Sequence, residues 1–153
     1  MKRKLTATAA VLAAGLVVAA APAAAKPKAV AYSGATTGGA KITFKLAKGK
    51  MKRLVSSVYV SCSTGTSSTV KGGVETFEPG APVKVGPEFK RTTKQYTPLA
   101  WQDVTKYYTI KAARTGKRIT GKLSLAFSYF IPDLYYPRTY YCMGTADFTA
   151  KRG

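Results

Sequence analysis

Hydrophobic and polar residues alternate with period two along most of the chain beyond residue 28, the pattern of strands with one buried face. In residues 40–48, Ile42, Phe44 and Leu46 share one parity while Lys41, Thr43 and Lys45 hold the other. Residues 118–129 extend the pattern, with Ile119, Gly121, Leu123, Leu125, Phe127 and Tyr129 on one side. Residues 140–151 set Cys142, Gly144, Ala146 and Phe148 against Met143, Thr145, Asp147 and Thr149, and Val58, Val60 and Cys62 supply a matching face. This last strand and its partner around Cys62 are the pair about which the others are expected to assemble. Shorter strand signals cover residues 29–36, 70–77, 83–85 and 104–112. Between them lie the turn signals Gly38-Gly39, Lys48-Gly49-Lys50, Pro79-Gly80-Ala81-Pro82 and Arg114-Thr115-Gly116-Lys117.

Residues 86–103 follow no period and hold Pro87, Pro98 and the only tryptophan, Trp101. They read as an ordered surface loop or as a strand whose pattern is masked. No amphipathic helix of three turns occurs beyond residue 26. Many short strands with Gly/Pro turns predict an all-β domain, an antiparallel β-sandwich of jelly-roll type. An immunoglobulin arrangement competes, because Tyr140 stands two residues before Cys142 as in a tyrosine corner. It lacks the tryptophan expected on the strand after Cys62.

The N-terminus changes the setting. Lys2-Arg3-Lys4, an apolar run through Leu12, Leu16 and Val18, and Ala23-Ala24-Ala25 form the three regions of a secretory signal peptide. Residues 1–25 are expected to be removed, leaving one exported domain over residues 26–153. No later apolar stretch is long enough to span a bilayer, so no transmembrane span is expected in the mature protein. In an exported chain with two cysteines, the economical reading is one disulfide, Cys62 to Cys142. A redox or metal-binding pair does not suit their wide spacing.

Charge then narrows the partners. The chain carries 25 basic residues against six acidic ones, for a net charge of +19, and only three of the basic residues fall in the leader. Such a field attracts wall glycopolymers, extracellular polysaccharide, nucleic acid or anionic lipid, with no specific nucleic-acid motif present. The candidate polyanion-binding residues are Lys41, Lys45, Lys48, Lys50, Lys52 and Arg53, with further basic clusters at residues 90–94 and 114–122. The competing reading is that these lysines are a solvated face that protects strand edges. A proline-bounded aromatic segment over residues 129–141 supplies a candidate binding loop of Tyr135, Tyr136, Arg138 and Tyr141, whose rings could stack on sugars. Its competing role is to plug the end of the sandwich.

Histidine and asparagine are absent, which removes the commonest general base and metal ligand and any N-glycosylation acceptor. No metal site, cofactor or catalytic residue is expected. The enzyme reading is left with a carboxylate pair drawn from Glu75, Glu78, Glu88, Asp103 and Asp133, or with a His-free lyase using Tyr and Arg or Lys.

Five short stretches carry a resemblance: Tyr32-Ser33-Gly34, Ile42-Thr43-Phe44, Val60-Ser61-Cys62, Ile119-Thr120-Gly121-Lys122-Leu123, and Cys142-Met143-Gly144 continuing to Phe148-Thr149-Ala150-Lys151-Arg152. Together they resemble a recurring type of small secreted β-sandwich protein from actinobacteria, over nearly the whole mature chain. The resemblance implies the fold and no activity. The expected function is a secreted, non-catalytic cationic module for anionic polymers at the cell envelope. The alternative is a structural or inhibitor-like protein that binds another protein through its aromatic loop.

Overall fold

A computed structural model describes residues 28–64, 71–132 and 137–153. The expected leader, Tyr135 and Tyr136 lie outside these residues. The described chain forms β1 (Val30–Thr36), β2 (Lys41–Ala47), β3 (Lys50–Thr64), β4 (Lys71–Phe77), β5 (Val83–Lys84), β6 (Phe89–Thr97), β7 (Gln102–Thr115), β8 (Arg118–Ile131) and β9 (Arg138–Arg152). All pairings are antiparallel, and no helix occurs among the described residues.

The strand order is β4-β3-β2-β1-β9-β8-β7-β6, with β5 paired to β3. It comprises two meanders, β1 to β4 and β6 to β9, joined by the pairing of β1 with β9. The sheet is the antiparallel sandwich that the alternation predicts. Its neighbours in space are mostly neighbours in sequence, so the connectivity is that of hairpins and not the jelly-roll crossing expected from the pattern. Short turns explain this. Lys48 and Gly49 both adopt positive φ, 50° and 69°, between the paired residues Ala47 and Lys50, the geometry of a two-residue type I′ hairpin.

Strand β9 holds the centre. It pairs with β8 along nearly its full length, with β1 over residues 148–152, and with β3 over residues 140–143. Strand β3 in turn pairs with β2 over residues 50–55 before it reaches β9. The two long strands therefore fork, and the β1–β2 hairpin fills the fork, with the Thr37 N–H donating to the Asp147 carbonyl at 2.8 Å. Just past their ladder only glycine fits: a Cβ on Gly144 would lie 2.2 Å from the Tyr59 carbonyl oxygen.

A bulge in β3 sets which side chains turn outward. Thr43 faces Val55 but Lys45 faces Lys52, so β3 spends one extra residue, and Arg53 sits there at φ 52°. The inward parity changes across it, from Met51 to Leu54, Ser56, Val58, Val60 and Cys62. The core lies between the folded halves of the sheet and includes Ile42, Phe44, Phe77, Tyr108, Ile110, Leu123, Leu125 and Phe148, all buried. Cys62 and Cys142 face each other across the β3–β9 ladder and form the disulfide, as expected.

Residues 86–103, unassigned by pattern, contain β6 and a tight turn into β7. Strand β6 is the sheet's last strand, and most of its side chains are exposed, so no apolar alternation marks it. Its inward polar residues instead bond to the opposite end of the sheet. Thr97 donates its hydroxyl to Glu75 Oε1, and Gln95 donates to the Glu78 carbonyl at 3.1 Å. The two ends, β4 and β6, are thus joined by side chains where no backbone ladder runs.

Candidate polyanion-binding face

Alternation along β1, β2, β3 and β9 turns one residue in two outward, and the register brings distant lysines together. Lys41, Lys45 and Arg53 rim a shallow pocket of about 380 Å³ whose floor includes Ala31, Ser33 and Thr43. Lys41 and Lys45 share a face by parity alone, whereas Arg53 joins them through the bulge. Lys52 stands directly across from Lys45, and Lys50 directly across from Lys84. Lys48 sits at the hairpin tip beside them. All six sequence-nominated basic residues therefore lie on or next to one hairpin, β2–β3.

The same opposition recurs farther along the sheet, at Lys111 with Lys122 and at Arg118 with Lys151. Like charges directly opposite on a sheet oppose folding by a few tenths of a kcal/mol each, on the order of the gain from an unlike pair. Few acids offset them. Among the described residues, Lys90 pairs with Glu88 at 3.0 Å on the surface, and Lys106 pairs with Glu75 at 2.5 Å in the interior.

The aromatic candidates divide. Tyr141 and Arg138 belong to β9 and not to a loop, with Tyr141 outward and 57% exposed. Tyr140 turns the other way and stacks on Tyr129, ring centroids 5.1 Å apart. Phe130 is exposed, as the crowding of adjacent aromatics requires. Trp101, 83% exposed and at φ 55°, tips the turn between β6 and β7.

Two features were not nominated from sequence. One is an outer groove of about 500 Å³ lined by Ser61, Ser63, Tyr107, Ser128, Tyr141 and Met143 among others. The outward parity of Tyr107 and Met143 was visible, but their adjacency depends on register. The other is the buried set of Glu75, Lys106 and Thr97. Glu75 accepts from Lys106 on one oxygen and from Thr97 on the other, and the Lys106 ammonium lies 5.4 Å from the Phe127 ring centroid. Lys106 occupies the inward parity between Val104 and Tyr108, which was the available signal.

Burial and then the charges of Glu75 and Glu78 push the Tyr108 phenol up to about 12, and its hydroxyl donates to Gln95. Burial, then Tyr140 and Glu75, raise Tyr129 as well, whose hydroxyl has no partner. In both inward phenols burial favours the neutral, protonated form. Of the acids, Glu75 is enclosed and paired, while Glu78, Glu88 and Asp103 are exposed. Glu75 is thus separated by the sheet from any surface substrate. No three His, Cys, Asp or Glu side chains converge among the described residues, and no helix there is long and apolar enough to cross a membrane.

No family model matches this chain, and neither the curated proteins nor the solved structures contain a match. The functional reading therefore rests on the chain's own geometry.

Proposed function

We propose that the protein is an exported, non-catalytic module of the secreted actinobacterial β-sandwich type, and that it binds anionic polymers through its basic outer face. The observation that carries this reading is the set of directly opposed like charges, Lys45 with Lys52, Lys50 with Lys84, Lys111 with Lys122 and Arg118 with Lys151. A fold that tolerates such pairs gains when an extended polyanion lies between them. The pocket rimmed by Lys41, Lys45 and Arg53 gives that contact a recessed centre. A counter-charged polymer would displace small anions from this face, so affinity falls steeply with salt.

The test replaces Lys41, Lys45, Lys50 and Lys52 with glutamine in the secreted protein. Binding to a teichoic-acid-like polymer and to poly-L-glutamate should weaken together, with a flatter dependence on salt. Binding that is absent at low salt, or indifferent to salt, would reject the reading. Export is checked in the same preparation: intact mass should begin at Lys26 and stand two hydrogens below the reduced form.

A further inference from the structure

The aromatic half of the outer face is left unused by charge attraction alone. Along the middle of β8 the outward residues are Ser128, Ala126, Ser124 and Lys122, three small side chains followed by a base. Taller neighbours flank them: Tyr107 on β7 and Met143 on β9 stand on either side of Ala126, and Tyr141 on β9 stands beside Ser128. Small residues between tall ones make a trough along β8. Ala126 and Ser128 lie in the 500 Å³ groove, and roughly 20 Å along β8 from Ser128, at about 3.4 Å per residue, the line of outward residues reaches a second pocket lined by Lys111, Lys122 and Asp147. Lys111 stands opposite Lys122 at the trough's far end, and Asp147 of β9 stands opposite Lys122 on the other side, so the three groups keep one net positive charge.

We propose that this trough holds one stretch of a linear anionic polysaccharide, with a sugar ring between Tyr107 and Tyr141 and its charged substituents towards Lys111 and Lys122. The assignment rests on the polyanion reading above and names the polymer class. The apolar C–H face of a pyranose packs on an aromatic ring, and the tyrosines are 54% and 57% exposed, free to receive one. Ser61, Ser63 and Ser128 line the same groove with hydroxyls suited to ring hydroxyls. The charge at the trough's end complements a carboxylate or phosphate on the same chain. An added peptide strand fits less well, because the trough lies on a sheet face whose backbone groups are already paired, and strand addition needs an open edge.

The test uses the full mature protein carrying Tyr107→Ala with Tyr141→Ala, both at exposed positions, with the wild-type circular dichroism spectrum as the check on folding. Polygalacturonate, poly-L-glutamate and oligo(dT) are titrated at two salt concentrations. Affinity for polygalacturonate should fall at least about tenfold, the loss of two ring contacts, with poly-L-glutamate unaffected. An Ala126→Trp variant, which fills the floor, should show the same selective loss. Equal losses on polygalacturonate and poly-L-glutamate, or none on the former, would overturn the ring subsite while leaving the polyanion reading in place. An equal loss on oligo(dT) would make it a base-stacking site and overturn the glycan assignment. If the wild type binds none of the three, the polyanion reading itself fails.

Discussion

Replacing Lys106 by methionine should cost more than any surface charge change in this protein. Lys106 and Glu75 are each 1% exposed, and the ammonium lies 2.5 Å from the carboxylate. Methionine keeps most of the stem against Phe127 but leaves the Glu75 carboxylate inside the sandwich with only the Thr97 hydroxyl. Breaking a buried pair from one side costs about 3 to 5 kcal/mol, because an uncompensated charge remains. For a domain of this size that lowers the melting temperature by roughly 12 to 20 °C. The double variant Lys106→Met with Glu75→Leu removes both charges and should recover to within about 1 kcal/mol of wild type, or exceed it. Urea unfolding of the wild type, both single variants and the double gives the coupling directly, provided the m-values agree. If Lys106→Met alone is too unstable to fold, the double variant still decides the matter. A loss under about 1 kcal/mol in Lys106→Met, or a double variant no better than the worse single, would refute the view that the pair acts as a closed unit.

Two further outcomes follow from the fold. Gly144→Ala should cost about 1 to 3 kcal/mol by urea unfolding, because its Cβ would meet the Tyr59 carbonyl of β3; Gly38→Ala, where the nearest atom is 4.0 Å away, is the control, and equal behaviour of the two would count against the close approach. The Tyr108 contribution to stability should be constant below pH 10 and be lost between about pH 10 and 12, since the unfolded chain releases the Tyr108 proton there while the fold retains it. Tyr108→Phe should flatten that decline, and an unchanged alkaline slope would place the titration elsewhere.

The strands with one apolar parity were legible in the sequence, and so was the disulfide, because two cysteines on the inward parity of two strands leave one pairing. Strand β6 was hidden for a physical reason. Its inward positions Gln95 and Thr97 are satisfied by bonds to Glu78 and Glu75, so burial there does not demand apolar residues. Lys106 shares the inward parity of Val104 and Tyr108, but a charge there is stable only with a partner, and the carboxylate that supplies it lies 31 residues earlier. The basic hairpin was readable as a cluster because its members are close in sequence. The trough was not, because its walls come from β7 and β9, and only the β8 register sets Tyr107 beside Ala126 and Tyr141 beside Ser128.

The position of β9 bears on how the molecule comes into being. Three strands, β1, β3 and β8, have this one as a neighbour, yet it follows all of them in the chain. A nascent polypeptide that ends before β9 can form hairpins but cannot seat the β1–β2 hairpin in its fork or bring Cys142 to Cys62. The loop-closing contacts come last, which slows folding and leaves the sandwich unclosed until β9 has been made. Under the export proposed above, such delay is an advantage: the disulfide and the final strand would then act together as a latch set only on the far side.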